Sequence, residues 1–351
     1  MKISVETREA TSRLTTLLSS ILSIGLALCV AAIIFMGYRV NPLEAYRRIL
    51  LSAFGSLHGF SETIVKAIPL MVCAAGLALA FRAKLWNIGA EGQLILGAIS
   101  SSWVALTFPD SPSFLLIPSM FGLSFLFGSI WGLVPGLLRV KFGTQVAITS
   151  LMMNYVAAKI LEYLVYGPWK GPAEWGFPQT SKFSISAQLP RLAQTRIHYP
   201  TLLFGIIFSI FLHIIVSKSR FGFEVRATGE NPQAARYAGM EFFKIAIITM
   251  LVSGGLAGVA GFGEVAGIQL RLRMGISPGY GYTAIIVAWL SRLNSLLVIP
   301  VSLLFGGLLV GGDAIQLMGL PFAAVDLFNG LILLFVVSGE FLNKHKIKVK
   351  Y

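Results

Sequence analysis

Apolar runs of about twenty residues with almost no charge recur from one end of the chain to the other, long enough to cross a bilayer core as helices. They predict spans at roughly 15–38, 62–81, 91–108, 114–138, 144–166, 200–216, 242–266, 281–290, 295–311 and 324–339, about ten in all. The eighth is short. The expected fold is all-α, a polytopic membrane protein forming one transmembrane domain over residues 1–351. Between the first two spans, segment 41–58 alternates polar and apolar residues at helical spacing, with Glu44 and Arg48 four apart. It reads as an amphipathic helix on the outer surface, too polar to span.

Composition agrees with this pattern. Of 351 residues, 56% are hydrophobic and 12% charged, and no stretch is left for a large soluble domain. The N-terminal run lacks a small-residue cleavage site and exceeds a signal-peptide core, so it reads as a retained span. Cys29 and Cys73 sit in apolar runs and suggest neither a disulfide framework nor a metal site.

The net charge of +13 belongs to topology rather than to nucleic acid. With the N-terminus placed inside, basic residues favour the inside segments roughly two to one, which makes both termini cytoplasmic. Arg82 and Lys84 are among these anchors, as are Arg226, Arg236 and the four C-terminal lysines. The long external segment 167–199, with Trp169, Trp175 and Phe177 near its start, reads either as an aromatic belt or as a docking or gating loop. Gly128, Gly132 and Gly136, Gly254 and Gly258, and Gly307 and Gly311 recur at the four-residue spacing of close helix packing. Pro135 removes an internal hydrogen bond from its helix and predicts a kink.

The constellations of catalysis are missing. His58, His198, His213 and His345 have no metal-ligand spacing, and the chain carries neither a nucleophile elbow nor a phosphate-binding GxxxxGK[ST] loop. GFGEVAG, Gly261 to Gly267, superficially resembles a dinucleotide fingerprint but lies in an apolar run with no preceding strand. Ionisable groups within or near spans, namely Glu91, Lys159, Glu162, Glu264, Asp313 and Asp326, are costly in lipid and either snorkel or face a cavity. Glu264, among glycines, is best placed to line a pathway. Asn154 and Tyr155 offer a hydrogen-bonding pair within another span, for function or for helix linkage.

Two polar interruptions stand out. In FRAKLWNIGAEGQ, residues 81–93, Asn87 to Gln93 read as a glycine-loosened re-entry into the membrane, tolerable only where protein or a water-filled cavity covers it. Asn87, Glu91 and Gln93 are therefore expected to face the translocation pathway or its gate. In the cytoplasmic loop 217–244, Asn231 is expected to cap a helix of one or two turns, Pro232 to occupy its first position and Gly239 to end it left-handed. So short a helix needs support from both sides. Ala234 and Ala235 give it a small surface that fits a groove on another protein, and Arg236 suits an acidic partner.

These segments together, FRAKLWNIGAEGQ, FGTQVAITSLMMNY, RATGENPQAARYAGM and SPGYGYTAIIVAWL with LLFGGLLVGG downstream, resemble the permease subunits of bacterial ABC importers of the branched-chain amino acid and simple-sugar class. Within it the chain looks most like the nucleoside and simple-sugar permeases, over about residues 60–340. The resemblance implies a cytoplasmic ABC ATPase, a second related permease, an extracytoplasmic substrate-binding lipoprotein and residence in the bacterial inner membrane. It implies no cofactor on this chain, since ATP is used by the partner. It matches Gly229, Glu230, Asn231, Ala234, Ala235 and Gly239 to the loop that couples the ATPase to the membrane helices, residues 217–241 here. Asn87, Gly89, Glu91, Gly92 and Gln93 match the family's polar break, and Asn154 and Tyr155 its NY pair. The chain departs from the pattern where Gln145 is followed by Val146 and around Arg292 to Ser295.

The expected function is alternating access, most consistent with nucleoside import, with simple sugars such as ribose or galactose as the alternative. An ion-coupled secondary transporter is a further rival, and an embedded enzyme a distant one. Five plus five spans suggest inverted halves at about 15–166 and 200–339, with NIGAEGQ and ISPGYGY as corresponding breaks on opposite sides.

Overall fold

A computed structural model of the chain describes residues 2–7, 13–172, 176–319, 321, 327–328, 330–331, 334–335, 338–339 and 345–350. It divides into two compact units, residues 61–306 and residues 1–60 with 307–351.

In the larger unit, α3 (Leu57–Arg82, entering the unit at Ser61), α4 (Ala90–Thr107) and α10 (Phe242–Gly263) are mostly buried. α5 (Ser113–Phe142) and α7 (Tyr199–Lys218) expose most of their apolar surface, as helices facing lipid do. The order has a physical reason. α4 carries Glu91, Gln93 and three consecutive serines, Ser100 to Ser102, and all are buried inside protein rather than against lipid.

Small residues set how closely this core packs. A Cβ on Gly97 would collide with the backbone of Gly258, one on Gly128 with Gly254, and one on Gly258 with the Ser124 carbonyl. The glycine spacing read from the sequence thus joins α5 and α10 backbone to backbone, and Gly97, which that spacing did not single out, brings α4 onto the same seam. Ser129 Oγ donates to the Leu251 carbonyl at 2.8 Å across the same seam.

Four further helices belong to the unit. α6 is Val146–Tyr166; α8 (Arg220–Glu230) and α9 (Pro232–Tyr237) fill the loop between α7 and α10. α11 (Tyr280–Leu290) has eleven residues, ~16 Å of helix, about half of the ~30 Å hydrocarbon thickness. α10 runs on into a π-helical turn, Glu264–Gln269.

Segment 167–199 is not a loose belt. Thr180 N–H donates to the Leu272 carbonyl, Phe183 N–H to Leu270 and Leu189 N–H to Ala266, each at 2.9 Å. Phe183, Ala187 and Leu189 enter the core beside the ends of α4 and α6, and Trp169 packs on the same cluster while Phe177 stays exposed. Trp175 lies outside the described residues.

In the smaller unit α1 (Arg13–Gly37) and α2 (Pro42–Phe54) meet at a 112° bend. Asn41 caps α2, its side chain accepting from Leu43 N–H at 3.0 Å. One side of α2 packs on protein, with Ile49 and Phe54 against Gly311 and Gly307 of α12 (Val298–Gln316), while Leu43, Leu50 and Leu51 stay exposed. Strands β1 (Lys2–Thr7) and β2 (His345–Lys350) pair antiparallel, a small ribbon that the all-helical expectation lacked.

Five described helices are long and apolar enough to cross a membrane, and the bent α1–α2 pair makes a sixth. α4 and α6 fall short through their own polar residues, Glu91 and Gln93 in one and Asn154, Lys159 and Glu162 in the other. The tenth expected span, 324–339, lies largely outside the described residues.

Candidate functional site

The break between α3 and α4 is closed by side chains. Asn87 Nδ2 donates to Gln93 Oε1 and to Ser253 Oγ on α10, both at 3.0 Å, and its Oδ1 accepts from Gly89 N–H at 3.0 Å. Gln93 Nε2 returns a bond to Asn87 Oδ1 at 3.1 Å. On the other side, Asn154 Oδ1 accepts from Gly92 N–H at 2.9 Å while its Nδ2 donates to the Ile88 carbonyl at 2.9 Å and to Tyr282 Oη at 3.1 Å. Ser150 Oγ, one turn before Asn154, accepts from Ile88 N–H at 3.0 Å. Backbone freed from helix at this depth thus finds replacement partners in Asn87 and in Ser150 and Asn154 of α6, while Ser253 of α10 and Tyr282 of α11 hold the Asn87 and Asn154 side chains in place.

Glu91 joins two helix ends. Its carboxylate accepts from Gly281 N–H at 2.7 Å and is also hydrogen-bonded by Gly279 N–H and the Ser277 side chain. The N-termini of α4 and α11 are packed so tightly that a Cβ on Gly281 would strike the backbone of Glu91. Two helix N-termini present positive dipole ends to one buried carboxylate. NIGAEGQ and ISPGYGY therefore meet at the N-termini of their two helices.

The structure brings Asn87, Glu91, Gln93 and Asn154 into one buried cluster. Tyr155 points away from it on an open face of α6, 63% exposed, next to Ile148, Met152 and Val156. Tyr282, half-exposed, links that face to the cluster through Asn154. Lys159 and Glu162 pair at 2.6 Å on α6. Glu264 is buried and separate, opening the π-helical turn against which segment 180–189 is strapped, with Lys66 and Arg196 the cations that act on it. Asp326 lies outside the described residues.

The loop 217–241 forms two helices rather than one. Ser219 caps α8 and Asn231 caps α9, its Oδ1 accepting from Gln233 and Ala234 N–H at 3.1 Å each. Gly239 ends α9 left-handed, φ +77°, and Met240 N–H closes back on the Ala235 carbonyl at 3.0 Å. Ala235 is buried, Tyr237 is 93% exposed, and Arg236 makes no ion pair among the described residues. A groove of about 580 Å³ runs beside α9, lined among others by Lys84, Trp86, Arg139, Pro232, Gln233 and Arg236.

Sequence reasoning missed Ser150, Ser253, Ser277 and Gly281 as partners in the cluster. Ser150 was accessible as the residue one helical turn before Asn154; Ser253 and Gly281 are distant contacts with no local signal.

His198, the residue before α7, is fully buried against Gly263 and Gly267, and neither ring nitrogen has a hydrogen-bond partner. Burial, with Arg191 adding to it, pushes the imidazole down to about 4 from its usual 6.5. The folded state thus binds this proton more weakly than the unfolded chain does. Its neutral form supports stability fully above pH ~6.5, and that contribution is lost as pH falls towards ~4, up to about 3 kcal/mol. A pH series of thermal unfolding should show this loss in the wild type and a flatter profile in His198→Asn; equal slopes would place the acid sensitivity elsewhere.

Residues 59–337 match the family model described as branched-chain amino acid transport system / permease component. The glucose ABC transporter permease protein TsgB13 of Haloferax volcanii is 34% identical, over 94% of this chain and 90% of that one. The guanosine ABC transporter permease protein NupP of Bacillus subtilis is 32% identical, over 93% of this chain and 94% of its own. The nucleoside ABC transporter permease protein NupB of Lactococcus lactis is also 32% identical, over 87% and 86%.

Proposed function

The chain belongs to the branched-chain amino acid transport system permease family, and on that premise we propose that it imports nucleosides, with residues 217–241 as the loop that receives the ATPase. It is a multi-pass membrane permease of ABC type without catalytic activity of its own. Membership implies an ATPase and a substrate-binding protein as partners. The second permease is a related chain, and the residence is the bacterial plasma membrane with both termini cytoplasmic. Pairing of β1 with β2 supports termini on one side.

The observation that carries the substrate reading is the pair of relatives with nucleoside specificity in their names, each covering most of both chains. The open face beside the buried cluster is compatible with it: Tyr155 and Tyr282 offer aromatic faces and Asn154 an amide, groups that suit a purine or pyrimidine. Asn87, Glu91 and Gln93 support that face from behind, and Glu264 lies buried at the C-terminal end of α10, where it faces the pathway in our reading. The halves 15–166 and 200–339 remain our reading of the architecture as an inverted repeat, with α4 and α11 as the two half-helices that meet.

A simple-sugar substrate is the second reading, favoured by the relative named for glucose. Uptake of radiolabelled guanosine into proteoliposomes containing the complete complex distinguishes them. ATP-dependent uptake suppressed by other nucleosides and unaffected by excess glucose is expected. The reverse competition would transfer the assignment to sugars, and gradient-driven uptake by this chain alone would remove the ABC mechanism.

A further inference from the structure

The short turn between α3 and the polar break carries contacts that topology anchoring does not explain. Arg82 and Lys84 sit there as basic residues at a span end, which is all that charge distribution requires of them. Yet Arg82 Nε donates to the Leu293 carbonyl, just past α11, at 2.7 Å. From the other side, Gly229 of α8 lies so close to the Arg82 carbonyl that any Cβ there would overlap it. Lys84 Nζ reaches the carbonyl of Glu230, the last residue of α8, at 3.5 Å.

Aromatic packing reinforces the same joint. Trp86 stacks on Trp289 near the end of α11, with ring centroids 5.2 Å apart and planes 11° from parallel, and Phe81 packs on both rings. Three residues at this meeting point, Lys84, Arg292 and Leu293, hold left-handed backbone with φ of 55°, 52° and 56°. For residues with side chains such geometry persists only where surroundings impose it.

α11 is then held at both ends. Its C-terminal end is fixed to the turn by Arg82 and the tryptophan stack, and its N-terminal end to Glu91 by the bonds to Gly279 and Gly281. A rigid half-helix fixed at two points acts as a lever. Displacement of α8 shifts the turn, and the turn moves α11 against the polar cluster at the start of α4. Packed elements of this kind move as bodies rather than deform continuously.

We infer that Arg82 is a positioning residue for transport, joining α8 and α9 to α11 so that movement of the cytoplasmic loop reaches the Glu91 cluster. The inference rests on the reading of residues 217–241 as the ATPase-receiving loop. It predicts a defect in coupling rather than in assembly, because the exposed surface of α9 is untouched.

Arg82→Lys is the informative variant, since lysine keeps the charge that topology needs but lacks the Nε donor aimed at Leu293. In proteoliposomes of the full complex, substrate transported per ATP hydrolysed should fall at least about tenfold, ~1.4 kcal/mol by the usual conversion, while ATPase co-purification stays at the wild-type level. Wild-type stoichiometry in Arg82→Lys would overturn the joint and leave the ABC assignment standing. Absence of ATPase from the wild-type preparation would instead remove the loop assignment on which the joint depends. Should Arg82→Lys fail to accumulate, a second measurement decides: Lys84→Cys and Glu230→Cys joined by a short thiol crosslinker, with the exposed Cys29 replaced by alanine. A joint that moves as one body keeps its transport when crosslinked, and loss of transport upon crosslinking would show that the two segments must separate, contrary to the proposal.

Discussion

Glu91→Leu is expected to abolish transport and to destabilise the protein by about 4 kcal/mol. Its carboxylate accepts from Gly281 N–H and is hydrogen-bonded by Gly279 N–H and Ser277. Leucine leaves the Gly281 N–H and the Ser277 hydroxyl without this acceptor in a buried site, at ~1–3 kcal/mol for each buried unsatisfied group, while Gly279 N–H keeps Ser277 Oγ at 3.2 Å. It also removes the negative charge that sits between the positive ends of α4 and α11. Relief from burying a carboxylate offsets part of the loss, which is why the estimate stays below the sum. Glu91→Gln keeps the shape and one acceptor oxygen but sets an amide NH₂ against backbone donors. It should lose about half as much stability and retain measurable uptake. Thermal unfolding in detergent and uptake in proteoliposomes give the two readouts. A Glu91→Leu protein as stable as wild type within about 1 kcal/mol would mean that the α4–α11 junction does not depend on this residue.

What could be read from the sequence followed from how local the signal was. Asn231, Pro232 and Gly239 specified the start and stop of α9 within nine residues of chain, and all three act as expected. The glycine stripes were legible for the same reason, since their spacing is a property of one helix; which helix each meets was not. Asn87 and Gln93 announced themselves as polar residues amid apolar runs, but Asn87 bonds Ser253 across 166 positions and Glu91 bonds Gly281 across 190. No periodicity reports such a pairing. That NIGAEGQ and ISPGYGY meet could not be read from the sequence for this reason. Segment 41–58 was legible as an amphipathic helix, while the contact of Ile49 and Phe54 with the glycines of α12 was not, because a small-residue groove and a membrane surface select for the same pattern. α8 went unpredicted because Gly222 and Gly229 depress its helix propensity. Both glycines are there for close backbone approach, to Val216 and Arg82 respectively.

Gly258→Ala should cost at least about 3 kcal/mol, a large loss for one methyl group. The added Cβ would meet the Ser124 carbonyl and lie 3.1 Å from Gly128 Cα, and neither can rotate aside as a side chain would. α5 would have to back away from α10, and that separation would lengthen the Ser129–Leu251 bond and open space along the whole α4–α5–α10 seam. Gly122→Ala provides the matched control on α5. It adds the same methyl where nothing lies within 4 Å, so helix propensity alone should make it neutral or stabilising by up to about 1 kcal/mol. Gly97→Ala strikes Gly258 from α4, and once either alanine has pushed the helices apart the other has less left to displace. The double variant is therefore expected to lose less than the sum of the two singles, the mark of residues that share one contact. Strict additivity, or a Gly258→Ala protein that melts with Gly122→Ala, would mean that the three helices are not held at backbone contact, and the rigid block against which α11 is proposed to move would be missing.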